Sequence, residues 1–93
     1  MLITTKFIPH TVTKPDRIKA TCEAEEIVLD WSNPKLNQWT SDYHSELICK
    51  HVSAAMELAH ILGLPPMQWH IHGLDNGFLL VGAEGGSRNV IPF

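Results

Sequence analysis

Apolar and polar positions alternate with a period of two in several stretches of the chain, which predicts strands with one dry face. Leu2 to Ile8 carries β-branched Ile3, Thr4, Thr5 and Ile8 and stops at Pro9, and turn formers fill Pro9 to Asp16. From Arg17 to Ala24, Ile18, Ala20 and Cys22 fall on one side and Arg17, Lys19, Thr21 and Glu23 on the other. After a tight acidic turn near Glu25, Ile27, Leu29 and Trp31 alternate with Glu26, Val28 and Asp30. These three strands predict an antiparallel meander.

The period then changes. Ser32 to Thr40 has no period and contains Asn-Pro, so it reads as a loop, with Trp39 in it. Ser41 and Asp42 are good N-caps, Glu46 suits a first turn, and Gly63 with Pro65 and Pro66 ends the segment. A helix over Asp42–Leu62 follows, its apolar stripe made by Tyr43, Leu47, Ile48, Ala54, Ala55, Leu58, Ile61 and Leu62, with Cys49, Met56 and His60 pointing away. Met67 to His72 and Gly77 to Gly82 are two further strands; in the "GLDNG" between them, Asp75, Asn76 and Gly77 tolerate the positive φ of tight hairpins. Residues 83–93 have no period and read as a flexible C-terminal tail.

The order strand, strand, strand, helix, strand, strand predicts an α+β two-layer sandwich, with a five-stranded, mostly antiparallel sheet and one long helix on one face. Ile18, Leu29, Leu47, Leu58 and Phe78 are expected to share its core. Twenty-one helical residues reach about 31 Å, against about 20 to 23 Å for strands of six or seven, so one helix end is expected to overhang.

The 93 residues fit one domain spanning 1–93, and 44% apolar residues is ordinary globular composition. Seven basic against ten acidic residues give a formal charge of −3, which disfavours general nucleic-acid binding. Lys6, Lys14, Arg17 and Lys19 nevertheless form a local basic strip, the basis of a nucleic-acid alternative or of a rim for a protein partner. The two cysteines lack C-x-x-C spacing, and Cys22 is expected to be dry and Cys49 wet. Reduced thiols and the lack of a membrane-length apolar run suggest a cytoplasmic protein.

Six histidines make the chain histidine-rich, and protonating all of them would move the formal charge from −3 to +3. His44 and His51 fall inside the apolar stripe, seven residues and about 10.5 Å apart, too far to share an ion easily. Each is expected to be a partly buried imidazole that stays neutral. His70 and His72 project side by side from one strand face, which suits zinc; the third and fourth ligands would come from His10, His44, His51 or a carboxylate. Without such ligands the pair is a wet strip beside the core residues Trp69 and Ile71. No phosphate-binding glycine loop before a helix, nucleophile elbow or H-E-x-x-H motif occurs, and Cys49 and His51 point about 160° apart on their helix. No catalytic residues are assigned.

The opening "MLITTKFIPHTVTKPDRIKATC", followed by a histidine- and alanine-rich helix ending in "LG" and a closing hairpin, resembles small uncharacterised proteins encoded by bacteriophages, plasmids and bacterial genomes. Many of those show Arg-Gly-Ser where this chain has Lys14, Pro15 and Asp16. The resemblance implies a mobile-element accessory gene and transfers no activity. Together with Trp39, an aromatic of the kind that anchors interfaces, it leads to the expectation of a small accessory protein that inhibits or modulates a host factor by protein–protein contact. The alternatives are a metal-binding protein or metal-dependent enzyme with zinc at His70 and His72, and then nucleic-acid binding through the N-terminal basic strip; a homodimer is a further option for the partner.

Overall fold

The computed structural model describes residues 1–40, 45–85 and 88–91. Five strands, β1 (Leu2–Ile8), β2 (Arg17–Cys22), β3 (Glu25–Asp30), β4 (Met67–Leu74) and β5 (Gly77–Glu84), form one sheet, and one helix, α1 (Glu46–Ile61), lies between β3 and β4 in sequence. The strands are ordered β3-β2-β1-β5-β4, and every neighbouring pair is antiparallel. The chain is therefore α+β, with the layers that the alternation predicts. The β2–β3 hairpin turns at Glu23 and Ala24, beside Glu25 as expected, and Glu23 takes the positive φ, 55°, that the turn needs. No helix among the described residues is long and apolar enough to cross a membrane.

Alternation sorts the side chains as expected. Ile3, Ile18, Ala20, Cys22, Trp69 and Leu80 are buried on the face that meets α1, and Ile27, Leu29, Ile71 and Phe78 pack half-buried at its margins. Registration puts Ile3 opposite Leu80 and Ile18 opposite Leu29. Each such pair adds apolar contact to the cross-strand hydrogen bonds.

The helix differs most from expectation. Its N-cap is Ser45, whose Oγ accepts from the Ile48 N–H at 3.3 Å, so α1 starts at Glu46. The expected caps Ser41 and Asp42, with Tyr43 and His44, lie outside the described residues. Gly63, at φ +67°, stops the helix, and the Leu64 N–H donates back to the Ala59 carbonyl at 3.0 Å, a closure that glycine adopts without strain. Sixteen residues span about 24 Å, so the expected mismatch with the strands disappears. Leu47, expected in the core, is 45% exposed. Cys49 and Met56, expected to be wet, are buried, and every residue from Cys49 to Ala59 is buried.

That burial comes from the segment between β3 and α1. Asn33 caps a short 3-10 helix, Pro34–Asn37, by accepting from the Lys35 N–H at 2.9 Å, and this turn drives Leu36 fully into the core. The helix thus has a sheet on one flank and a packed loop on the other. Its polar residues there are anchored: the Lys50 ammonium donates to the Trp31 carbonyl at 2.7 Å and sits 4.9 Å from the Trp31 ring centre, and Glu57 pairs with Lys35 at 3.1 Å. A buried ammonium without such partners would be costly.

Residues 83–85 and 88–91, the described part of the expected tail, are not simply a tail. Ala83 and Glu84 belong to β5, and Val90 forms a parallel bridge with Gln68 on the free edge of β4. The Trp69 N–H donates to the Val90 carbonyl at 2.8 Å and the Val90 N–H to the Met67 carbonyl at 2.9 Å. Asn89 Oδ1 accepts from the Met67 N–H at 2.9 Å and the Trp69 indole N–H at 3.2 Å, and Ile91 is buried. Buried donors on a sheet edge need acceptors, and this segment supplies them.

Candidate functional site

Period two places Thr5 on the inner face of β1 between Ile3 and Phe7, and there it meets His51 from α1. Thr5 Oγ1 accepts from the Phe78 N–H at 3.2 Å and lies 2.7 Å from His51 Nδ1. The hydroxyl has one proton, and its other acceptor, the Phe78 carbonyl, is 3.5 Å away. Both tautomers of the neutral ring are compatible with the contact: Oγ1 donates to Nδ1, or it donates to the Phe78 carbonyl and accepts from Nδ1–H. Burial pushes the His51 pKa down to about 4, which keeps the ring neutral near pH 7. His51 is 1% exposed, and its ring meets the Phe78 ring edge-on at 5.0 Å.

The second nitrogen is the anomaly. His51 Nε2 is shielded from solvent and has no hydrogen-bond partner among the described residues. A buried polar atom left unpaired costs about 1–3 kcal/mol. His51 also lines a cavity of about 220 Å³ at the end of the helix–sheet interface, enclosed by Phe7, Leu47, Phe78 and the turn from Leu74 to Gly77. Gly77 is required for this geometry by closeness rather than by turn conformation: a Cβ there would sit 1.8 Å from the Thr5 carbonyl oxygen. The positive φ expected at Asp75 to Gly77 is not used; Asp75 and Asn76 turn without it.

The residues singled out from sequence are dispersed. His70 and His72 are exposed on the outer face of β4, opposite Val81 and Leu79, side by side as expected. The sheet separates them from His51, and His44 lies outside the described residues. His10 bonds Asp16 at 3.2 Å in the β1–β2 loop. No group of three or more potential metal ligands occurs among the described residues. Lys6 and Lys19 are registered opposite each other on the outer face, and Lys19 pairs with Glu26 at 3.3 Å. Arg17 starts β2 on the same face, opposite Asp30, and Lys14 is exposed in the loop before it. Trp39 is half-buried against the core, and its backbone N–H donates to Ser53 Oγ at 3.0 Å, so it belongs to the flank of α1 rather than to the basic strip.

Sequence reasoning placed His51 in the apolar stripe and missed Thr5. The available signal was a threonine between Ile3 and Phe7 on a dry face, where a hydroxyl needs a partner. Comparison of the chain with protein-family models, curated proteins and solved structures returned no match.

Proposed function

We propose that the chain is a small accessory binding protein that occupies a protein partner through the uncovered face of its sheet. The supporting observation is a stripe in register at the centre of that face. Leu2, 56% exposed, stands opposite Val81, and Thr4 stands opposite Leu79, while α1 covers only the other side. Exposed Val28 extends the apolar character toward β3, and Lys6, Lys19 and Arg17 lie alongside. An apolar centre with a charged rim is the anatomy of a protein interface, and here the rim carries both signs, with Glu26 paired to Lys19 and Asp30 opposite Arg17. The likeness of the N-terminal segment to phage and plasmid proteins supports a mobile-element product that modulates a host factor.

A photo-crosslinking amino acid at Thr4, in the middle of the face, tests this reading in the producing cell. A defined protein adduct that is lost on Leu79→Glu, with the melting temperature unchanged, supports it. No adduct, or the same adduct from a crosslinker at Gln38 on the helix side, rejects it. The adjacency of His70 and His72 supports a second reading, a zinc site completed by ligands from a partner or a second copy; zinc would then raise the melting temperature, and His70→Ala would remove the effect.

A further inference from the structure

We propose, resting on the zinc reading of His70 and His72, that a second copy of this chain supplies the other two ligands, so that one ion on a two-fold axis clamps two sheets face to face.

The ligand count comes first. His70 and His72 are exposed, two residues apart on β4, and same-face neighbours on a strand stand side by side. Zinc in a structural site takes four ligands, with imidazole nitrogens at about 2.0–2.1 Å. Among the described residues no third ligand joins the pair, and α1 with His51 lies behind the sheet. A two-fold copy presents the same patch in return, which completes the set with two more imidazoles. Depth fits as well, because sheets stack about 10 Å apart, so an ion midway lies about 5 Å from each, within reach of an imidazole standing upright on its strand. The cross-strand neighbours of the pair are Val81 and Leu79, which put apolar rather than cationic groups beside the ion.

Coordination then sets the angle. In a tetrahedron the planes of the two chelating pairs are perpendicular, so the β4 strands of the two copies cross at about 90°, one of the two angles at which sheets pack. Leu2, Val81 and Ala83 lie toward the Met67 end of β4, and Lys6 lies toward the Leu74 end. One sense of crossing therefore lays Lys6 of each copy over Lys6 of the other, which repels. The opposite sense brings Val81 against Val81, closes Leu2 and Ala83 around them and leaves the lysines outside the overlap. That sense buries exposed Leu2 and keeps like charges apart.

The test is sedimentation of the whole, untagged chain with a chelator and with added zinc chloride, alongside measured zinc content. A monomer in chelator is expected to double its mass with zinc and to hold one ion per two chains. His70→Gln and His72→Gln are each expected to abolish the doubling, and His60→Gln, at an exposed histidine near the end of α1, to leave it unchanged. Leu2→Glu, counted twice across the axis, is expected to weaken the zinc-bound dimer about tenfold or more while its chains still take up zinc. One ion per chain without doubling would overturn the second copy and leave the zinc reading standing, whereas no uptake of zinc would overturn both. Doubling in chelator, or doubling that survives His70→Gln, would also overturn the clamp, because the ion would then not be what holds the copies together.

Discussion

His51 on α1 and Thr5 on β1, forty-six positions apart, are joined at 2.7 Å across the helix–sheet interface. The bond ties the two layers at a point where the surrounding contacts are apolar. The same burial disfavours the charged imidazolium, so the ring stays neutral near pH 7.

Acid should therefore weaken the fold. The His51 pKa is about 4 in the folded chain against 6.5 for the free group, so between these values the unfolded chain binds a proton that the folded chain refuses. Stability from this ring is complete above the upper value and is lost as pH falls toward the lower one. Urea midpoints measured from about pH 7.5 down to about pH 5 should show a loss of about 2 kcal/mol from this ring. The same series on His51→Gln should lack that component, and an identical slope in both proteins would mean that His51 is solvated.

Two leucines on one helix should respond differently to truncation. Leu58 is fully enclosed, and Leu58→Ala is expected to cost about 2–5 kcal/mol by denaturant unfolding. Leu47 stands at the cavity rim, half in water, and Leu47→Ala should cost less than about 1 kcal/mol. Equal losses would place α1 in a different rotation about its axis.

Neither thiol should react quickly in the native protein. Cys22 and Cys49 are both buried, and the Cys22 pKa is raised by burial and by the neighbouring Glu23 carboxylate, so little of the reactive thiolate forms. Labelling by a thiol reagent should be slow for both and become rapid in urea; fast modification of Cys49 alone would contradict its burial on α1.

Asn89 serves two donors with one oxygen. Asn89→Ala would leave the Met67 N–H and the Trp69 indole N–H without their acceptor, at an expected cost of about 1–3 kcal/mol in urea unfolding. A neutral substitution would show that water replaces the side chain and that the terminal segment is dispensable.

The parts of the fold that were legible are those with a strict period. Ile18, Ala20 and Cys22 announce their strand because a pleated backbone exposes alternate residues, and no later contact changes that parity. The phase of α1 was less readable because a helix can be covered on more than one side. Lys50 and Glu57 look like a solvated face, and they are buried because Leu36 folds a loop against them and the Trp31 carbonyl and Lys35 satisfy their charges. The Asn33-Pro34 pair, a cap followed by a residue pre-set for a helical turn, was the local sign of that loop. The contact between Thr5 and His51 leaves no periodic trace, since it depends on how far the helix is displaced along the sheet.

The position of β1 in the sheet has a consequence for synthesis. It precedes the other four strands of the sheet in the chain and is the middle strand of the finished sheet, with β2 on one side and β5 on the other. The meander β1-β2-β3 can close early, but the edge of Leu2 to Lys6 that pairs with Gly77 to Val81 has to wait until β5 is made. Until then the nascent protein carries an open row of backbone donors and acceptors beside apolar Ile3, and such an edge recruits strands from other chains. Slow translation past the helix would prolong that exposure, so the rate of elongation between Ile61 and Gly77 bears directly on the yield of folded protein.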